Sequence, residues 1–184
     1  MKFTPLAIPD IILVELDLHG DDRGYFAETF RQDLFNNAVS SQINFIQDNE
    51  SKSSKGVLRG LHYQLSPFSQ SKLVRVIKGS VLDVAVDIRK SSPTFGHHIA
   101  IELSADNKKQ IFIPKGFAHG FVVLSDSATF TYKVDSLYAP EYERGIAFDD
   151  KDLKIDWQLS SDILKLSNKD QNNPSLLHAK DLFD

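Results

Sequence analysis

"SKLVRVIKGSVLDVAVDI", Ser71 to Ile88, decides the fold class. Two runs rich in valine, leucine and isoleucine flank Lys78-Gly79, a turn signal, and the whole reads as two successive β-strands. Side chains alternate along a strand, so Leu82, Val84, Val86 and Ile88 share one face while Val81, Asp83, Ala85 and Asp87 share the other. Two carboxylates on one face fit a solvent-facing surface. They fit a polar barrel lumen equally well.

Working outward, the same pattern recurs on both sides. Strands are expected over 11–19, 42–53, 56–64, 71–79, 80–88, 97–104, 109–116, 119–125 and 128–136. Turn residues break them at SSPTFG (91–96) and at SADN (104–107), which reads as a hairpin loop. One short helix is expected over Arg31–Ala38. After about Asp149 the chain becomes polar with scattered apolar residues, so residues 150–184 are expected to form helical turns packed on a barrel as a C-terminal extension of one domain. Many short strands at even spacing predict an all-β jelly roll.

The bulk properties exclude several classes of function. The chain has 184 residues, enough for one domain with a sizeable core. A formal net charge of −4 lacks the footprint of a general nucleic-acid binder. No apolar run approaches a membrane span, and the first residues, MKFTPLAIPD, show no signal-peptide core. Cysteine is absent, which removes disulfides and thiolate chemistry and agrees with a cytoplasmic protein.

Six histidines are present. Pro114, Gly116 and His119 in "IPKGFAHGF" form the PxGxxH motif of cupin-type jelly rolls, many of which bind a metal. The companion HxH motif is missing: its place holds Leu61-His62-Tyr63-Gln64. His97 and His98 are adjacent, so on a strand they point to opposite faces and cannot chelate one ion. His19 and His178 lie in segments without partners and are expected at the surface. Three or four ligands are the norm for a transition metal, so a catalytic metal is not expected. His62 is then a base or a satisfied core histidine. Its polar company, Asn49, Arg59, Gln64, Lys72, Tyr132 and Lys133 in strand-like contexts, is too large to be all solvent-facing. Such a cluster needs mutual hydrogen bonds or a ligand, and its cations suit an anion such as a diphosphate.

The stretches DDRGYFAETF (21–30), QDNESKS (47–53), VLRGLHYQ (57–64), Ser71–Gly96, IPKGFAHGFVVLS (113–125), YKVDSLYAPEYERGI (132–146) and LSNKD (166–170) resemble, in order, the dTDP-4-dehydrorhamnose 3,5-epimerase family of nucleotide-sugar epimerases. The resemblance implies a cupin-type jelly roll that epimerises dTDP-4-keto-6-deoxy-D-glucose at C3 and C5 without a cofactor. It makes His62 the general base, Asp170 its partner, Tyr132 the proton donor and Lys72 the group at the carbonyl oxygen. It assigns substrate contacts to Arg23, Phe26, Glu28, Gln47, Asn49, Arg59, His119, Tyr138, Glu143 and Lys169, with Tyr138 stacking on the thymine. It further implies a strand-exchanged homodimer in which Arg23 and Glu28 can come from the partner. Ser71 replaces a glycine common in the family, and His98 and Phe148 stand where tryptophan is frequent. A same-fold enzyme acting on one carbon only, or a non-catalytic nucleotide-sugar-binding cupin, are the competing functions.

"GVLRGLHYQ" (56–64) carries an internal conflict. Ideal alternation puts His62 with Leu58, Gly60 and Gln64, and Arg59 on the opposite face with Leu61 and Tyr63. The resemblance wants Arg59 and His62 at one substrate. A glycine between them marks a bulge or bend in many strands, so an irregularity is expected near Gly60, or else Arg59 reaches the ligand around the strand edge or from a neighbouring subunit.

Overall fold

The computed structural model describes residues 1–184. Its strands are β1 (Lys2–Pro5), β2 (Ile12–Glu15), β3 (His19–Asp21), β4 (Gly24–Phe26), β5 (Gln47–Ser54), β6 (Leu58–Gln64), β7 (Lys72–Lys78), β8 (Ser80–Asp87), β9 (His98–Ser104), β10 (Gln110–Ile113), β11 (Phe117–Val123), β12 (Ser127–Val134) and β13 (Glu143–Gly145). Helix α1 spans Gln32–Val39 and α2 spans Asn168–Gln171. One sheet has the order β1-β2-β10-β7-β12-β5 and the other β13-β6-β11-β8-β9; β3 and β4 pair as a separate hairpin. The chain passes repeatedly from sheet to sheet, as in a cupin-type jelly roll.

The turn at Gly79 is one such crossing. It carries φ +74°, and a Cβ there would sit 2.1 Å from the Ser127 carbonyl oxygen, so only glycine fits. SADN is a second crossing, and this corrects the hairpin expectation: β9 and β10 belong to different sheets. Asn107 shapes that corner by accepting from the backbone N–H groups of Ser104 and Lys109, each at 3.0 Å. The run 11–19 is also not one strand, since β2 ends at Glu15 and β3 starts at His19. The very short β1, β4 and β13 lie outside the expected strands, because three or four residues carry little periodic signal.

Three apolar layers hold the roll together. Val74, Val76, Ile111, Ile113 and Phe130 from one sheet meet Val81, Ala85, Phe121 and Val123 from the other. Outside the first sheet, Phe35 of α1 packs on Val14, Leu73 and Phe112. Outside the second, Leu153, Trp157 and Leu176 cover Leu58, Leu61, Leu82, Val84 and Val86. Both faces of β8 are therefore buried. Asp83 and Asp87 are fully buried, so the solvent-facing reading of that strand fails and the lumen reading stands. Asp87 survives burial because the Arg89 guanidinium, Ser92 and Thr94 all donate to it. Burial raises its carboxyl pKa, but those bonds outweigh burial and hold it down at about 2. No helix is long and apolar enough to cross a membrane.

Candidate active site

β6 supplies the central histidine, and its path is irregular. Along the β11–β6 ladder His119 faces His62 and Phe121 faces Arg59, so two residues of β11 span three of β6. That is a β-bulge at Gly60, as expected from the parity conflict. Leu58 and Leu61 consequently both enter the outer core, while Arg59 and His62 both line the cleft. Gly60 has φ +135°, and its missing side chain lets the backbone approach Gly120: a Cβ would lie 2.5 Å from the Gly120 Cα. The Gly60–Leu61 peptide bond is cis.

The cleft lies between the sheets and has a volume of ≈ 650 Å³. His62 and His119 enter it from the second sheet, and Asn49, Lys72 and Tyr132 from the first. Arg59, Lys169 and Asp170 complete the predicted residues lining it. His62 Nε2 meets Asp170 Oδ1 at 2.5 Å, across a separation of 108 residues. Asp170 is the third residue of α2, whose N-cap is Ser167; its own N–H donates to the Ser167 hydroxyl at 3.2 Å. An acidic residue here commonly reaches back to the cap. In this chain the carboxylate turns to His62 instead. Burial raises the Asp170 pKa, but the His62 and Ser167 hydrogen bonds outweigh it, leaving a carboxylate more acidic than usual.

A second pair lies beside the first. His119 Nε2 meets Asp83 Oδ2 at 2.9 Å, and both residues are buried. Burial lowers the His119 pKa against the opposing pull of Asp83, which keeps the ring neutral. Burial also lowers the Lys72 pKa to about 8, with Asp83 and Glu143 acting the other way. Tyr132 is pushed up by burial, so it keeps its phenolic proton at neutral pH. No group of three or more histidine, aspartate or glutamate side chains is arranged to hold a metal ion.

Other predicted residues fall at the rim or away from the cleft. Gln47 donates to Asn49 at 2.8 Å. Tyr138 donates to Glu143 at 2.7 Å, and Glu143 pairs with Lys169 at 2.6 Å. Arg23, Phe26 and Glu28 belong to the β3–β4 hairpin and the segment after it, outside the cleft lining. Arg23 is paired only with Asp21 of its own turn, and Phe26 is 70% exposed.

Two members of the polar cluster lie outside the cleft lining and are bonded within the protein. Gln64 is buried and ties a loop, donating to the carbonyls of Phe68 and Leu137 and accepting from Ala139 N–H. Lys133 pairs with Asp48 at 2.8 Å and does not line the cleft. Ser51 and Ser167 line the cleft and were missed, while Ser53 accepts from Arg59 at 3.2 Å. The signal for Ser51 and Ser53 was present: they alternate with Gln47 and Asn49 on the less exposed face of β5. Ser71, the departure from the family's glycine, is buried with its N–H bonded to Asp135.

A cupin-type jelly roll whose two sheets bring an aspartate-held histidine and a protonated tyrosine into one cleft has the equipment of an acid–base enzyme. The comparisons narrow that class. Residues 5–178 match the family model described as dTDP-4-dehydrorhamnose 3,5-epimerase. Enzymes of that name from Shigella flexneri and Pseudomonas aeruginosa are 54% and 53% identical, each alignment covering 97% of this chain and 98% of the relative. The crystal structure of dTDP-6-deoxy-D-glucose-3,5-epimerase from Legionella pneumophila, in complex with dTDP-4-keto-L-rhamnose, superposes with a TM-score of 0.93 at 46% identity, covering 97% of this chain and 94% of that one. The chain belongs to the dTDP-4-dehydrorhamnose 3,5-epimerase family and is an isomerase.

Proposed function

We propose that the cleft converts dTDP-4-keto-6-deoxy-D-glucose to dTDP-4-keto-L-rhamnose, inverting C3 and C5 through enolates, as a step of dTDP-L-rhamnose synthesis. The C4 ketone acidifies the protons on both neighbouring carbons, because each carbanion delocalises onto O4. Inversion requires removal of a proton from one face of the sugar and delivery to the other. One observation carries the reading: His62 and Tyr132 enter the same cleft from opposite sheets.

His62 takes the carbon-bound proton while Asp170 holds the ring and stabilises the imidazolium that forms. With the Nε2 proton directed at Asp170, the other ring nitrogen keeps its lone pair. Lys72, predominantly protonated at neutral pH, offers positive charge to the developing enolate oxygen, where preorganised charge has the greatest effect. Tyr132 delivers its proton to the opposite face and is then reprotonated from solvent. This acid–base route calls for no cofactor. Arg59, which shares the cleft with Asn49 and Lys169, suits the diphosphate, and Tyr138 the thymine.

The exposed β3–β4 hairpin supports a homodimer in which Arg23 and Glu28 serve the partner's cleft. An intracellular, cytoplasmic enzyme fits a nucleotide-sugar substrate. Incubation with the keto-sugar nucleotide in D₂O tests the reading: deuterium enters at both C3 and C5. Label at C3 alone would make this a single-carbon epimerase. Binding without any exchange would make it a non-catalytic nucleotide-sugar receptor.

A further inference from the structure

α2 is short, yet it must aim Asp170 at His62. Its surroundings show how. Residues 165–174 are fastened by backbone hydrogen bonds at both ends. Lys165 N–H donates to Gly56 at 2.8 Å and its carbonyl accepts from Leu58 at 3.0 Å. At the other end the Pro174 carbonyl accepts from Ala147 N–H at 2.8 Å. Between these anchors, residues 166–172 make two polar contacts with the rest of the protein: Asp170 with His62, and Lys169 with Glu143. The first is the pair to be positioned. The second is the polar restraint left to set the rotation of α2, beside the packing of Leu166 on the outer core.

Glu143 is well placed for that task. It opens β13, which pairs with β6 in the register Glu143↔Gln64 and Gly145↔His62. Glu143 and Gly145 therefore share a face, two residues apart, on the strand next to the one carrying His62. Lys169 meets the first, and Asn173 packs against the second so closely that a Cβ on Gly145 would lie 2.4 Å from its Oδ1. The side chain of Glu143 is only 16% exposed, and Tyr138 also donates to it. Burial raises its carboxyl pKa, but the Lys169 and Tyr138 hydrogen bonds outweigh this and keep it ionised.

We infer that Glu143 is a positioning residue for the acid–base pair: through Lys169 it fixes α2 against β13 and so holds Asp170 on His62. This rests on the reading of His62 as base and Asp170 as its partner. It adds a role to Glu143 that a substrate contact alone would not have.

The test is deuterium exchange and steady-state kinetics on the full-length protein. Glu143→Asp keeps the charge and shortens the reach; it is expected to lower kcat on the order of 10- to 100-fold, with KM changed far less. Glu143→Gln should do the same, because a poorly held Asp170 no longer orients the imidazole. Lys169→Met combined with Glu143→Gln should be no worse than the more damaging single variant, since both break one tether. Additive losses in kcat, or a Glu143→Asp variant changed only in KM, would overturn the inference. His62→Ala run alongside separates the two readings. If it exchanges normally, the base assignment itself fails; if it is inactive while the Glu143 and Lys169 losses add, only the positioning role fails.

Discussion

Replacing Asp170 with asparagine should disable the site while leaving it folded and able to bind dTDP. The side chains of Asp170 and His62 are 5% and 25% exposed, and their contact is 2.5 Å. Unit charges about 4 Å apart attract by about 4 kcal/mol at an effective dielectric near 20, and partial exposure of the imidazole reduces the useful part to ~2 kcal/mol. That stabilisation exists only once His62 is protonated, so it acts on the transition state, where ~2 kcal/mol corresponds to roughly 30-fold in rate. Asparagine also presents an amide that can donate to Nε2, which stabilises the wrong tautomer. The same exchange in a Ser-His-Asp triad costs about 10⁴-fold, which sets the upper bound. Deuterium incorporation at C3 and C5 of Asp170→Asn should thus fall by ~10²- to 10⁴-fold, with dTDP affinity measured by calorimetry within about threefold of the parent. Exchange within about threefold of the parent would show that the Asp170 carboxylate does not activate His62.

Two further outcomes follow from the geometry. The kcat/KM of the parent should decline as pH rises through about 8, because Lys72 loses its cation there; Tyr132, shifted upward, is still protonated at that point. Lys72→Arg should be slower overall but lose that alkaline limb, since guanidinium stays charged, and a parent profile flat to pH ~10 would remove Lys72 from the role of cation. Gly60→Ala should destabilise the fold by ~3 kcal/mol or more in urea titration, because the new methyl meets backbone that cannot move aside and the residue sits at φ +135°. A loss below ~1 kcal/mol would mean that the close approach of Gly60 to Gly120 is not needed.

The strands were legible where two-residue alternation ran for seven or eight residues, as in β6, β7 and β8. They were illegible where elements are three or four residues long, as in β13, although β13 stands beside His62. The bulge at Gly60 was readable because glycine has a definite conformational meaning and because two required residues disagreed in parity. For Gln64 and Lys133 the choice between mutual hydrogen bonds and a ligand was not legible, since a polar side chain on a strand looks the same whether it holds a loop, an aspartate or a substrate.

By itself the amino-acid order determined the β-class, the sites of most turns and the family, and through the family it proposed the histidine–tyrosine–lysine set. These are local properties: alternation, glycine conformations and motif chemistry are written within a few residues. Only the tertiary structure decided which face of β8 is lumen, because residues far along the chain cover its other side. Only it brought Asp170 back across 108 residues to His62, and only it set β13 and α2 beside that pair. Long-range closure depends on how whole layers pack, and no segment of the chain carries that information alone.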